Sequence, residues 1–455
     1  MSASRPDPSP IPSPPSRRLK IAVVGSGVSG LSAAWLLAPA HEIVLYEAAD
    51  RLGGHSHTVQ SPVAGSTVPV DMGFIVYNTQ NYPNLVAWFD HLGVASKPSN
   101  MGFSVSLNDG RFEYGGDSLA ALFGQTRNLV SLRFWAMLRD LVRFYRQAPV
   151  DAPLLAASGA TLGEYLDAQG YGAAFQQDHL LPQAAAIWSA SLSDIRDYPA
   201  AAFIRFFENH GLLKILDRPS WRTVEGGSAA YVAKVGGSLA GKVRLSTPVT
   251  AVRRLPGGVE VRDQTGGAEV FDQVIMATHA DEGLKLLVEP SVDEQRWLGA
   301  FGYSRNRVVL HGDATLMPKR TGVWSAWNYV GRGAADNRAG APLCVTYWMN
   351  RLQDLPGTQN HFVTLNPGID PKPSLVVRTE VFHHPIFDTA ALAAQPRLWS
   401  LQGHGGVWWC GAYFGSGFHE DGVQSGLAVA EAIGGVRRPW SVRAESGRMP
   451  GLLAA

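Results

Sequence analysis

The sequence predicts an α/β protein: a Rossmann-like domain assembled from discontinuous segments, with a mixed α+β domain inserted into it. Three observations predict this. A glycine-rich strand–turn–helix–strand unit spans Lys20 to Glu47, a second glycine-punctuated strand–turn–helix spans Val407 to Ile433, and helix-rich and aromatic strand-rich blocks lie between them. The resulting division places the Rossmann-like domain at residues 19–100, 221–290 and 400–436, and the inserted substrate or cap domain at 101–220 and 291–399. Residues 1–18 are Pro/Ser-rich and read as a disordered tail, and 437–455 as a C-terminal tail.

Ile21–Val24 is a short apolar, β-branched run, as expected of a buried parallel strand. Gly25, Gly27 and Gly30 then supply G-x-G-x-x-G. The first glycine permits the tight turn, the second lets a pyrophosphate approach the backbone, and the third lets the next helix pack on the strand. Ser29–Leu37 is that helix, and its N-terminal amides favour an anionic phosphate. Ile43–Tyr46 is a second strand, ending in Glu47, an acid about 20 residues past the motif and placed to accept both hydroxyls of an adenosine ribose. Together these residues point to a dinucleotide.

Beyond Gly54, Thr58–Val70 reads as a hairpin turning at Gly65-Ser66. Asp71 is either a buried acid near the cofactor or a turn former. Tyr82–Leu92 has helical spacing, with Leu85, Trp88, Phe89 and Leu92 on one side. Met101–Leu107 and Arg111–Tyr114 flank Asn108-Asp109-Gly110, a hairpin signal. Ser118–Arg146 reads as a long helical stretch whose Leu132, Trp135, Leu138, Leu141, Val142 and Tyr145 face the core, with a lipid-touching surface as the alternative. Leu162–Gln169, Phe175–Trp188 and Ser193–Gly211 continue as helices. Trp221–Val232 returns to the nucleotide domain, followed by strands at Val243–Leu245, Val249–Arg253, Gly258–Val261 and Phe271–Ala277. Aromatic-rich strands at Asn306–His311, Trp324–Tyr329, Cys344–Met349, Phe362–Leu365 and Leu375–Phe382 suggest a sheet flooring a substrate cavity. Val407–Cys410 is a last strand, and Val423–Ile433 a last helix.

The 455 residues are 45% hydrophobic with a net charge of +1, so there is ample material for a large core and no electrostatic footprint for nucleic acid. Cys344 and Cys410 form no disulfide framework, and a cytoplasmic, reducing setting is the easier reading. No apolar run is long enough for a transmembrane helix. His55 and His57 resemble a metal pair but lack carboxylate or cysteine partners, and no metal is expected.

Arg51-Leu52-Gly53-Gly54, just after the ribose acid, resembles the second fingerprint of the flavin-containing amine oxidase superfamily, and Val407–Gly426 resembles its closing fingerprint. The resemblance implies non-covalent FAD. Its phosphates would be held by Gly25, Ser26, Gly27, Val28, Ser29 and Gly30, and its adenosine by Glu47, Ala48 and the backbone of Val249. It also implies contacts from Arg51, Leu52, Gly53, Gly54, His55 and Ala277, from Gly411, Ala412 and Asp421, and from the helix N-terminus at Gly422-Val423 against the flavin. Ala412-Tyr413 stand where the superfamily usually has an acid. Phe418 matches an aromatic-cage position and is the substrate-contact candidate. The superfamily's active-site lysine has no match, since Lys285 and Lys319 stand in other contexts.

A closer resemblance runs nearly end to end, through VDMGFIVY at Val70, MGFSVS at Met101, AIWSA at Ala186, NHGLL at Asn209, YWMN at Tyr347, TLNP at Thr364, His384-Pro385 and GFHEDG at Gly417. It is to bacterial NAD/FAD-binding amine-oxidase-like proteins found beside cyclopropane-fatty-acyl-phospholipid synthase-like methyltransferases. That resemblance implies oxidation or desaturation of a lipid acyl chain and a methyltransferase partner; a peripheral membrane contact is the expectation from the lipid-touching reading of Ser118–Arg146. The alternatives are a double-bond isomerase with no net redox change and a non-catalytic flavin-bearing partner of the methyltransferase. Candidate proton acceptors are His419, Glu420 and His279, with His384 behind them. His384 alternatively holds a turn, and His279 alternatively caps a strand end.

Overall fold

The computed structural model describes residues 17–188, 191–214, 219–331 and 344–452. Residues 1–16 of the tail expected at 1–18, the last two residues of AIWSA and the final residues 453–455 lie outside these.

Alternation of buried side chains sets the layers. Ile21 and Val23 of strand Lys20–Val24 share one apolar cluster with Leu31, Tyr231 and Leu427, whereas Ala22 and Val24 share another with Val259 and Phe271. The strand is therefore covered on both faces, as a parallel strand requires. Its sheet is parallel throughout, in the order Val243–Arg244, Glu42–Tyr46, Lys20–Val24, Gln273–Met276, Val407–Trp409. Helices Val28–Leu37, Ala229–Ser238 and His419–Ile433 contribute to the first cluster. A three-stranded meander, Val249–Leu255, Gly258–Asp263 and Ala268–Phe271, contributes to the second. The single strand expected over Phe271–Ala277 is thus two, and the chain changes sheet at Asp272, whose carboxylate accepts from Arg17 and from the Lys20 amide.

The inserted domain rests on a seven-stranded mixed sheet ordered Val376–Ile386, Gly302–His311, Phe362–Leu365, Val345–Trp348, Trp327–Gly331, Phe103–Leu107, Phe112–Gly115. His384 and Pro385 lie in its edge strand, paired with Ser304 and Tyr303, and not in a turn. An edge strand tolerates the missing amide of Pro385.

The helical block differs from the sequence reading in three places. Residues 118–146 form a short helix, Leu119–Leu122, a 3-10 turn, Thr126–Val130, and a helix Leu132–Ser158 that continues through Pro149 and Pro153. Packing maintains that continuation: Ala148 is buried, and Asp151 accepts from the Tyr165 hydroxyl at 2.8 Å. The inward stripe is Phe134, Met137, Phe144, Tyr145 and Ala148, while Leu132 and Trp135 face outward. Residues 193–211 split into Leu192–Arg196 and Ala200–Asn209 around Pro199, and Gln176–Leu180 is one π-helical turn.

Asp71 is no turn former. It ends strand Ser66–Asp71 of the hairpin with Thr58–Val63, fully buried. Its carboxylate accepts from the Ser228 amide and hydroxyl, the Thr58 hydroxyl and Gln353 Nε2. It thereby caps helix Ala229–Ser238 and ties both domains' segments together. Residues 437–452 also pack: Arg438 is buried, bidentate to Glu431, and Arg448 pairs with Asp421.

Burial pushes the Asp71 carboxyl up to about 6, from an ordinary 3.8. A raised folded-state value means its contribution is complete below 3.8 and is lost as pH rises through 6. The unfolding free energy of the wild type relative to Asp71→Asn should therefore fall by about 2 kcal/mol between about pH 4 and about pH 7. Urea titrations across that range check it; a pH-independent difference contradicts it.

Candidate active site

The turn after strand Lys20–Val24 is built for close approach. Gly25 has φ +100, and a Cβ there would meet the Ala277 carbonyl oxygen at 2.7 Å. A Cβ on Gly30 would meet the Gly25 oxygen at 2.0 Å, so Gly30 seats helix Val28–Leu37 on its strand. Gly27 differs: it is the N-cap, lacks any capping side chain, and a Cβ on it would meet nothing within 4 Å. The free amides of the helix N-terminus are left to an outside anion. Opposite stands Gly54, φ +56, where a Cβ would lie 3.1 Å from Gly27 Cα. Glu47 is oriented from within the turn: its carboxylate accepts from the Ser26 amide at 2.9 Å, the Ser26 hydroxyl at 2.5 Å and the Ala49 amide at 2.8 Å.

These residues border one cavity of about 820 Å³. Of the residues expected around a cofactor, Gly25, Ser26, Gly27, Val28, Ser29, Glu47, Ala48, Gly53, Gly54, His55, Val249, Ala277, Gly411 and Ala412 all line it. Thr247 and Pro248 join them from beside the meander. Gly30, Arg51 and Leu52 stand behind the wall. Arg51 Nη1 lies 3.4 Å from the carbonyl oxygens of Leu52 and Ser56, so its guanidinium serves that loop, and Leu52 packs toward Gly236.

The closing helix begins at His419, four residues before the expected Val423, and this changes four assignments. The Gly422 amide is already bonded to the Phe418 carbonyl, so the helix's exposed N-terminus is at His419–Asp421. Gly422 instead permits contact: a Cβ there would meet Val28 Cγ1 at 2.6 Å, and Val423 is buried in the core. Asp421 folds back to accept from the Ser416 and Phe418 amides, shaping the preceding turn from beneath. Glu420 points away from the cavity. Fully buried, it accepts from the Asn84 and Leu85 amides, Asn84 Nδ2 and Gln424 Nε2, capping helix Pro83–Leu92. A carboxylate so occupied is a structural cap and is not placed as a proton acceptor.

His419 does line the cavity. Its ring stacks on Phe74 with centroids 3.6 Å apart, and Nε2 meets the Ser56 hydroxyl at 2.9 Å and the Tyr231 hydroxyl at 3.3 Å. Burial pulls its pKa down to about 3, so the ring is neutral and pinned. Phe418 stacks on Phe206 at 5.0 Å in the wall.

A second histidine group gathers at His55, His279, His383 and His384, all lining the cavity. The rings of His55 and His384 are 5.5 Å apart, and those of His55 and His279 6.0 Å. Burial lowers the pKa of His55 well below the ordinary value and that of His384 to about 4. His279 precedes helix Ala280–Leu286 as its N-cap, makes no side-chain cap bond, and stacks on Tyr303 at 4.4 Å. Its Nδ1 lies 3.6 Å from Glu282 Oε2, and the ring beside it holds the Glu282 carboxyl below its usual range. His279, Glu282 and His383 bring ligand atoms within 4.8 Å of one another, a constellation that sequence spacing does not reveal. His57 diverges from His55 and faces Glu380 at 3.8 Å.

The family model for flavin-containing amine oxidoreductases matches residues 28–309. The chain belongs to that family. A Mycobacterium tuberculosis protein that carries the name flavin-containing monoamine oxidase AofH is 27% identical over 357 residues, covering 75% of this chain and 73% of that protein. Among solved structures, a conjugated-linoleic-acid-producing fatty acid isomerase from P. acnes superposes with a TM-score of 0.64 at 14% identity, over 91% of this chain and 98% of that one. Cyclohexylamine oxidase from Brevibacterium oxydans gives 0.62 at 15%, over 92% and 100%. At these identities the superpositions show the shared fold.

This amine-oxidoreductase-family chain is an FAD-dependent oxidoreductase, and its residues fit the cofactor. The open Gly27–Gly54 cradle leaves room where a pyrophosphate would approach the backbone, and Glu47 lines the same cavity, where a ribose would meet it. His55 Nε2 and the Tyr413 hydroxyl are buried at the cavity with no hydrogen-bond partner among the described residues, as groups awaiting a ligand are. Gly27→Leu should fold normally, because its side chain enters open space, yet purify without flavin; Gly30→Ala should lose stability instead. Flavin absorbance and melting temperature of the two variants check this. A yellow Gly27→Leu protein contradicts it.

Proposed function

We propose that this flavoenzyme oxidises or desaturates the acyl chain of a lipid or fatty acid. One observation carries the reading: the part of the cavity beyond the phosphate cradle is walled by Met101, Ile187, Trp188, Phe206, Trp327, Tyr347 and Phe387. Apart from Glu47, the charged side chains of the described lining are Glu282 and Lys285 alone, and Lys285 is exposed and paired with Asp281 at 2.7 Å. An ammonium substrate entering such a cavity would shed its water with almost no compensating charge, whereas an acyl chain gains from the same desolvation. The fatty acid isomerase relative shares this fold and acts on a substrate of that class. In this reading a methyltransferase partner, implied by the sequence resemblance, supplies chains already carrying an added carbon.

Bound FAD, held non-covalently, supplies the two-electron acceptor for a hydride from one acyl carbon. Cys410, whose thiol burial pushes up to about 12, offers no thiolate for attachment. His279 takes the proton from the neighbouring carbon, leaving the double bond. The Glu282 carboxylate fixes its ring and compensates the resulting charge. His419, neutral and held by Ser56 and Tyr231, keeps the helix N-terminus in register at the cavity. The enzyme works in the cytoplasm, with access to membrane lipid.

Anaerobic mixing with a fatty acyl substrate should bleach the flavin absorbance lastingly, and His279→Gln should slow that step by about 100-fold with flavin content unchanged. Isomerised product without lasting bleaching selects the isomerase alternative. Bleaching by a primary amine, with none by acyl chains, contradicts the proposal.

A further inference from the structure

Across residues 118–150 the chain has five arginines and a single acid, Asp140, which is buried. The same stretch exposes large apolar side chains: Leu132 is 88% accessible, Val130 83% and Leu119 76%. They are not scattered. Trp135 Nε1 donates to the Leu129 carbonyl at 2.9 Å, closing the Leu129–Leu132 turn over the start of helix Leu132–Ser158. The Phe123 ring sits 5.9 Å from Trp135 and joins helix Leu119–Leu122 to the same face. Beside the apolar rim lies a hollow bordered by Arg111, Arg127, Arg133, Ser131 and Asn108. Asp178 also borders it, but its carboxylate is spent on Arg133 at 2.6 and 3.0 Å. Arg111 and Arg127 form no ion pair among the described residues.

We propose that this face docks on an anionic phospholipid bilayer, with Leu119, Val130, Leu132 and Trp135 entering the acyl boundary and Arg111 and Arg127 binding lipid phosphates. Charge chooses the occupant. Apolar tips ringed by unpaired guanidinium groups match a negatively charged lipid surface, which supplies both the hydrocarbon and the phosphate that the face lacks. The docking helix packs on Ala200–Asn209, the helix that carries Phe206 into the cavity wall, so the membrane would lie one helix from the site. The inference stands on this surface and does not require the acyl-substrate reading.

The test is co-sedimentation of the flavin-loaded protein with phosphatidylcholine vesicles, with and without phosphatidylglycerol. The protein should bind the anionic vesicles and release as salt rises. Val130→Ser/Leu132→Ser and, separately, Arg111→Gln/Arg127→Gln should each reduce binding at least tenfold. All the altered side chains are exposed, so flavin content and melting temperature should hold. Equal binding to neutral vesicles, binding to inorganic phosphate but not to vesicles, or no vesicle binding would overturn the proposal. So would a dimer in size-exclusion chromatography that dissociates in Val130→Ser/Leu132→Ser, because the face would then be covered by a second copy.

Discussion

Two helices from opposite ends of the chain touch backbone to backbone, and the site exists because they do. A Cβ on Gly426 would stand 2.2 Å from the Ser29 carbonyl oxygen, and one on Gly422 would press on Val28. No larger residue fits at Gly426 without shifting a helix, and one at Gly422 would displace the Val28 side chain. With that seam closed, the start of helix Val28–Leu37 and the start of helix His419–Ile433 both open at one cavity. The positive ends of both helix dipoles thus serve one ligand region, an arrangement suited to a cofactor with phosphates at one end and a reducible ring at the other.

Buried acids that do not line the cavity hold this geometry. Asp71 caps helix Ala229–Ser238, Glu420 caps helix Pro83–Leu92, and Asp421 shapes the turn that carries Phe418. Each spends its oxygens on backbone amides that burial would otherwise orphan. On the proposed reading the proton goes to His279, whose ring lines the cavity with Nδ1 3.6 Å from the Glu282 carboxylate. The division is one of access: the acids' oxygens are enclosed by protein donors, whereas the His279 ring lines the cavity.

The parallel sheet and its phosphate turn were legible because their signals are local: a buried run, three glycines and an acid at fixed spacing. The cradle residues Gly25 to Ser29 and Gly53-Gly54 follow directly. The start of the closing helix was hidden because its N-cap is Phe418, with Asp421 reaching back to make the cap; no Ser, Thr, Asp or Asn announces it. That displacement misdirected Glu420, Asp421, Gly422 and Val423 together, since neighbouring helix positions face about 100° apart. The His279–Glu282–His383 group was hidden for another reason: His383 lies about a hundred residues beyond the other two and meets them only when the edge strand Val376–Ile386 folds beside helix Ala280–Leu286. The outward turn of Leu132 and Trp135 was open from the start, because an Arg-rich amphipathic stretch suits either a core or a lipid surface until its neighbours are placed.

The central claim is that the two helix starts and the Gly27–Gly54 cradle hold one intact FAD by non-covalent contacts alone. Acid precipitation of the purified protein, with chromatography of the supernatant, tests it most directly. The account predicts FAD released in equimolar amount to the chain. Flavin left on the precipitate, FMN in the supernatant, or no flavin even after prior incubation with FAD would contradict it.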